Sequence, residues 1–503
     1  MNKKVIIIGG GVSGLAAGIY AQKCGFDSTI IENHCLAGGN CTSWKRNDYL
    51  FEGGMHWLAG SKSGSPIYKL WAYVGALNDN VKTHYTEPFL EYDFKGTPIR
   101  LYRDVEKTEK EWLSLSPPDE KIIREFCRNI RLVKGLNMPI TDIKNVKVTK
   151  KNKIPLRLFF GFIRVLLNLP KWISITPKDY AHRFKHDGIK QLFLSLPEEN
   201  QGIIALFMTM GFLADGDGGF PEGGSLPFVE RMVNTYKSLG GTLLLNTRAQ
   251  KIIIENSAPS GVLIEPNSLW VAQNPSIKML ECDAVIITTD TMKAEQFFDI
   301  PLNAKWLKIM KEKTKPTSGT LISIGIDADL QNYPERPIFK LDTPICFADK
   351  KYHYLFLNNY ANNRTYSPKG KTVITIQLPG DTYLFWKKEK ENDNYREEKD
   401  RLASIIIREL TKLMPEIENK VEVVDIATPL TYERFCDNWK GSWMTEMSKK
   451  MITYPPDIKG LQGVYFAGHR MMPPGGLPPA LLTARRAVQC LCRDTDSVFI
   501  SEE

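Results

Sequence analysis

Several kinds of site are missing from the sequence. Its nine cysteines are scattered, Cys490 and Cys492 stand too close for a C-x-x-C pair, and no His/Cys spacing suits zinc. No metal site is expected, and the cysteines read as buried, reduced thiols of a cytoplasmic protein. The apolar stretch Leu156 to Leu167 falls short of the ~20 residues that cross a bilayer, and it carries Arg157 and Arg164. No secretory leader is expected, because the first apolar strand begins almost at Met1. The net charge of +9 comes without the basic and aromatic cluster of a nucleic-acid module. An anionic membrane surface therefore ranks above nucleic acid as a partner. Ser/His/Asp and paired-carboxylate constellations are also absent, which sets aside the common hydrolytic mechanisms. What remains is ordinary globular composition: 503 residues, 43% hydrophobic and 24% charged, enough for two or three domains.

The strongest positive signal lies in the first forty residues. Val5-Ile6-Ile7-Ile8 is a continuous β-branched run, as in a strand buried on both faces. Gly9-Gly10-Gly11-Val12-Ser13-Gly14 follows, and then a stretch of helical composition to Gly25. Strand, G-x-G-x-x-G and helix form the dinucleotide-binding fingerprint in the context it requires. Gly9 allows the tight turn, Gly11 lets a pyrophosphate reach the backbone, and Gly14 lets helix and strand approach. The helix N-terminus offers free N–H groups to the phosphates. A second strand, Ser28 to Ile31, ends at Glu32, an acceptor about 20 residues on, where a ribose hydroxyl needs one. A glycine-rich turn without function would not come with both strands, the helix and the acid.

Further along, Gly38-Gly39 suits a loop closing over phosphates with its amides. Phe51-Glu52-Gly53-Gly54-Met55-His56 again permits close backbone approach, here to a ring system. His56 reads first as a structural histidine and second as a polar group over that ring. Alternation from Glu87 to Arg103 predicts strands turning at Lys95-Gly96, and a helix follows Pro117-Pro118. Basic residues flank the apolar stretch up to Trp172, which suits either a helix in the membrane interface or a buried one. The loop Asp215 to Ser225 lacks both a Walker lysine and the terminal Glu of a calcium loop. Strands are expected at Thr242 to Leu245, Ala284 to Thr288 and in much of Thr317 to Gln377, with a helix at Tyr395 to Leu413. Near the end, Gly463 to Gly468 reads as a strand, followed by His469, a Pro/Gly loop and a helix from Leu481. Helix starts at both ends of the chain imply a long two-part cofactor, which FAD fits better than NAD. No second G-x-G-x-x-G follows a strand, so no dedicated NADPH domain is expected and the electron partner is open.

Taken together, Gly9 to Gly14, Glu32 to Gly39, Phe51 to His56, Phe220 to Gly224, Leu245-Asn246-Thr247, Ala427 to Thr431 and Gly468 to Ala480 resemble the FAD-dependent phytoene desaturase family, with its carotenoid isomerases and retinol saturases. Asn40 and His469 depart from residues common there. The resemblance implies an α/β fold: a Rossmann-like FAD-binding domain, an inserted mixed-sheet substrate domain and a helical membrane-facing segment. FAD-binding parts are expected at 1–86, 216–300 and 436–503, and substrate-domain parts at 87–215 and 301–435. It implies Gly9, Gly11, Ser13 and Gly14 at the pyrophosphate, Glu32 at the adenosine ribose, and Gly38 and Gly39 on the phosphate side. Ala249 would meet the adenine through its backbone, and Gly468, Gly476, Leu477 and Pro478 the flavin half. The implied reaction is desaturation, saturation or isomerisation of an apolar polyene, isoprenoid or lipid by hydride exchange with the flavin. His56 and His469 are the titratable groups placed near it. A flavin amine oxidase and a non-catalytic lipid carrier are the alternatives.

Overall fold

The computed structural model describes residues 3–136, 140–151, 156–196, 202–267, 277–446 and 453–502, with side chains from 163 onward in the helix Leu156–Ser174. Two sheets organise it. The first has six strands in the order Thr242–Leu244, Asp27–Ile31, Lys4–Ile8, Ala284–Ile287, Leu461–Phe466 and Asp457–Ile458, parallel except for the final hairpin. Val5 aligns with Ala284 and with Ser28, so the N-terminal strand sits mid-sheet with neighbours on both sides.

The uninterrupted apolar run in that strand has a simple cause. Alternate side chains point to opposite faces, and both faces are covered. Val5 and Ile7 join a core formed by the helices Val12–Lys23, Ser225–Ser238 and Leu477–Asp494, including Leu15, Tyr236 and Leu481. Ile6 and Ile8 join a second core with Val262, Ile264, Leu307 and Phe466. The residues of this second core come partly from a three-stranded antiparallel sheet, Thr247–Glu255, Ala258–Pro266 and Lys278–Glu281, and partly from the helix Lys305–Lys313.

The second sheet has seven strands: Val421–Ala427, Gly319–Ile326, Thr372–Pro379, Lys350–Asn359, Pro337–Phe347, Leu90–Phe94 and Thr97–Leu101. It is mixed. Ile338 pairs with Tyr92 in parallel, joining the early hairpin to the later meander, and the other pairings are antiparallel. The hairpin turns at Lys95 and Gly96, both with φ above +50° (54° and 81°). The amphipathic helix Tyr395–Leu413 buries Leu402, Ile406 and Leu410 against this sheet. A helical group packs around Trp112, Phe126, Phe193 and Phe207.

The structure differs from the sequence reading in places. The boundary at 301 falls too early, because Leu302, Leu307 and Met310 pack under the cofactor-side sheet with Ile8 and Val285. Residues 140–148 also lie on that side: Ile143 and Val146 pack on its core, and Lys147–Val148 pairs with Val498–Phe499. The C-terminal helix begins at Leu477, four residues before Leu481, because prolines are tolerated in a first turn whose N–H groups need no helical acceptor. Trp172 does not mark a membrane interface. It is buried, with its ring 5.1 Å from Phe207. Among the described residues, no helix is long and apolar enough to cross a membrane.

Candidate active site

The first glycine turn is built as a cradle. Gly9 has φ +105°, a conformation L side chains rarely adopt, and its N–H donates to Ile31 O at 2.8 Å. A Cβ on Gly14 would sit 1.9 Å from Gly9 O, so this glycine is what lets helix meet strand. Gly11 is different. Its backbone is ordinary (φ −68°), and a Cβ there would find nothing nearer than 3.8 Å. Gly11 is the N-cap of the helix and makes no side-chain cap, so the N–H groups of the first turn face open space. Ser13 Oγ and Thr289 Oγ1 are buried there with no hydrogen-bond partner among the described residues. An anion with several acceptor oxygens would satisfy all of these groups, so the cradle fits a dinucleotide pyrophosphate.

Glu32 lies at the adjacent strand end. Its carboxylate accepts from Gly10 N–H at 2.6 Å and His34 N–H at 2.7 Å. Burial pushes its pKa up, against the pull of those donors. Each oxygen has a further lone pair, which is what a ribose diol would use. Gly38 departs from expectation. Its N–H donates to Gly10 O at 2.9 Å rather than facing a phosphate, and a Cβ would meet Cys41 O at 2.6 Å. Gly38 pairs with Gly11 as an isolated parallel bridge, so this pair fixes the loop against the cradle. Gly39 lies against Gly11 Cα, 3.4 Å from where its own Cβ would be. Ala249 is buried beside a bulge in its strand, within the core that includes Ile8 and Ile31.

The far end of the chain contributes a second uncapped helix start. Gly476 is its N-cap, with φ +98° and nothing within 4 Å of a Cβ. Leu477 and Pro478 form the first turn. Gly468 has φ +137°, and its N–H donates to Thr483 Oγ1 at 3.0 Å. Between these glycines, Arg470 is fully buried and donates two bonds of 2.7 Å to Asp290. Arg470 also donates to Ser442 O and Oγ, both at 2.8 Å, and Trp439 N–H donates to Asp290 at 2.8 Å. Burial pushes the Asp290 carboxyl up, but the Arg470 charge and the donors outweigh it and hold the carboxyl below its usual range.

The third part is the loop after Phe51. Buried Glu52 accepts from Gly54 N–H and Met55 N–H at 3.0 Å, and from Ser225 N–H at 3.0 Å and Oγ–H at 2.5 Å. It thereby ties this loop to the start of the helix Ser225–Ser238. Gly53 and Gly54 are explained without a ring system. Their Cβ atoms would strike Trp44 at 2.2 Å and Asn40 O at 2.1 Å, so the glycines serve packing inside the protein. Asp217 does a related job, accepting from Gly60, Ser61 and Gly218 N–H at 2.7–2.9 Å. That gives the Asp215 to Ser225 loop its role.

His56 and His469 are both half-buried, and each has an Nδ1 without a partner among the described residues. Burial lowers the His56 pKa to about 4, helped by the Arg336 charge. Burial lowers that of His469 to about 3, with Arg470 lowering it further and Asp290 opposing. Both rings are therefore neutral near pH 7. The sequence reading missed Glu52, Asp217, Asp290, Arg470 and Arg336. Each stands beside a glycine-rich motif or strand end that the sequence did single out, but the partner lies far away in the chain.

Fold and site together define an FAD-dependent oxidoreductase. The chain belongs to the family of flavin containing amine oxidoreductases, whose model matches residues 12–492. Among its relatives is the all-trans-retinol 13,14-reductase of Danio rerio, 20% identical over 465 residues, covering 86% of this chain and 75% of that protein. The 1-hydroxycarotenoid 3,4-desaturase of Flavobacterium sp. (strain P99-3) is 22% identical over 521 residues, covering 96% and 98%. The crystal structure of an oxidoreductase from Methanosarcina mazei superposes with a TM-score of 0.60 at 15% identity, covering 97% of this chain and 100% of that one, a likeness in fold.

Proposed function

We propose that this enzyme acts on carbon–carbon single or double bonds of an apolar polyene, isoprenoid or related lipid. The observation that carries the reading is the kinship with enzymes named for polyene substrates, and aromatic rings cluster around the Phe51–Trp57 loop. Phe89 lies 6.4 Å from Trp57, Tyr360 lies 4.5 Å from Tyr366, and Phe220 lies 6.0 Å from Tyr366. These rings pack on the apolar cores beside the loop and hold it in place. The retinol reductase and the hydroxycarotenoid desaturase are named for polyene substrates, which supports the same class here.

Bound FAD supplies the hydride acceptor or donor. The protein's own residues hold and exclude. Gly9, Gly11, Ser13 and Gly14 seat the pyrophosphate, Glu32 accepts from the ribose, and Gly39 closes on the cradle. Ala249 presents backbone to the adenine. Gly468, Gly476, Leu477 and Pro478 frame the flavin half, braced by the Asp290–Arg470 pair. His56 and His469, neutral at pH 7, shape the polarity of the pocket and do not act as cationic acids. The test is anaerobic mixing of the yellow holoprotein with polyenes, isoprenoids and unsaturated lipids, following the visible flavin bands. We expect a member of this set to change the flavin's oxidation state. His469→Asn should keep that rate within about tenfold, or ~1.4 kcal/mol of barrier. A loss of roughly 10²–10⁴-fold would instead assign His469 a proton transfer. A flavin inert to the whole set that is reduced by an amine, with peroxide release in air, would overturn the reading in favour of an amine oxidase.

We further propose that the enzyme meets its substrate at a membrane surface through the helix Leu156–Ser174. Leu166 and Leu167 are 60% and 77% exposed there, next to exposed Ile163 and Arg164. Two leucines inserted into lipid gain about 2 kcal/mol each. Leu166→Glu with Leu167→Glu should lower the fraction that sediments with anionic liposomes by more than tenfold, with an unchanged melting temperature. Equal sedimentation of both proteins would show that this face does not meet lipid.

A further inference from the structure

One charged side chain beside this site makes no ion pair among the described residues. Arg336 lies mostly covered just before the strand Pro337–Phe347, and its Nη2 donates to His56 O at 2.6 Å. Its guanidinium stands over the Phe89 ring, 5.0 Å from the centroid. Among the described residues no carboxylate pairs with it and no other acceptor takes its remaining N–H groups. The neighbouring Glu335 carboxylate lies close enough to favour the charged guanidinium, yet its own hydrogen bonds go to His84 Nε2 at 2.8 Å and Asn362 Nδ2 at 3.3 Å. Arg103 adds a second positive charge to its surroundings, and its own N–H groups go to the carbonyls of Leu213, Asp217 and Gly218 at 2.6–3.3 Å.

A largely covered guanidinium with unused N–H groups gains from a directly hydrogen-bonded anion. Its remaining N–H groups keep accessible surface, since none is among the buried side-chain atoms that lack a partner. They form the planar fork that matches a carboxylate. The open fork can take an anion that arrives with the substrate.

We infer that the substrate of this enzyme is an amphipathic acid, an apolar chain ending in a carboxylate, and that Arg336 binds that carboxylate beside the His56 loop. The inference rests on the proposed apolar-chain reading and adds an end group to it. Arg336 is then a specificity-determining residue: it fixes one end of the chain and so sets which bond lies at the reaction centre.

The test is calorimetric titration of the FAD-loaded protein with retinoic, farnesoic and linoleic acids, each beside its methyl ester. For the chain that fits, the acid should bind about tenfold or more tightly than the ester. Arg336→Gln, which keeps a donor for His56 O, should bring acid and ester to equal affinity without loss of flavin. Arg336→Lys should restore part of the preference. Esters that bind the wild type as well as acids, or an acid preference that survives Arg336→Gln, would overturn the inference and leave the apolar-chain reading in place. If no chain binds in either form, both fall. If acids bind through Arg336 but never change the flavin's oxidation state, the end-group inference stands and the redox reading falls.

Discussion

Gly11→Val should yield a protein that folds normally and purifies without colour. The backbone at Gly11 is extended (φ −68°, ψ 179°), which valine adopts readily, and a Cβ there lies 3.8 Å from the nearest protein atom. The protein itself has room for the Cβ. The cofactor does, because the space in front of Gly11 is where a pyrophosphate must approach the helix N-terminus. We expect FAD affinity to fall by at least about 100-fold, or ~2.7 kcal/mol. The readouts are flavin absorbance per chain and far-UV circular dichroism. Gly14→Val should behave in the opposite way, because its Cβ would lie 1.9 Å from Gly9 O and the strand–helix contact itself cannot form. A yellow Gly11→Val protein with full flavin content would show that the pyrophosphate lies elsewhere.

Asp290→Ala should cost about 3–5 kcal/mol of stability, because it strands a buried cation. The Arg470 and Asp290 side chains are each 1% exposed, and Arg470 would keep only Ser442 and the more distant Met444 O at 3.3 Å as acceptors. The N–H of Trp439 would lose its acceptor too. Against a total stability of about 5–15 kcal/mol this is a large share. Flavin should be lost along with it, since Gly468 and His469 adjoin Arg470. Adding Arg470→Met to Asp290→Ala should recover much of the loss, because an apolar replacement removes the uncompensated charge. Urea denaturation of the three proteins decides it; a single variant within about 1 kcal/mol of wild type would show the pair to be dispensable. The pair also fixes a pH dependence. The Asp290 carboxyl is held below its ordinary value in the folded protein, so its contribution is complete at neutral pH and is lost as pH falls through that lowered value.

The strand–glycine–helix turn was legible because its signals are local. A strand, three spaced glycines, a helix and an acid at the next strand end all lie within residues 5–32, and each glycine has one physical reason to be there. The family of the fold was legible for the same reason. The braces were not. Glu52 meets Ser225, Asp290 meets Arg470, and Asp217 meets Gly60 across 173, 180 and 157 residues, and no local pattern announces such a partner. Glycines misled in one respect. At Gly53 and Gly54 the signal was close approach, but what approaches is the chain's own Trp44 and Asn40 rather than a ligand. Trp172 left two readings open: a tryptophan closing a basic, apolar segment fits an interface anchor or a buried helix by composition, and packing on Phe207 places this side chain in the core.

The strand order of the cofactor-side sheet bears on how the protein is made. Lys4–Ile8 lies hundreds of residues before its neighbour Ala284–Ile287 and before the next strand, Leu461–Phe466. The helix Val12–Lys23 likewise packs against the helix Leu477–Asp494, and Tyr20 hydrogen-bonds Glu502. Until those distant segments are available, this strand has an open edge and this helix an uncovered apolar face. Chains of this kind depend on slow, long-range closure and are exposed to aggregation until it occurs.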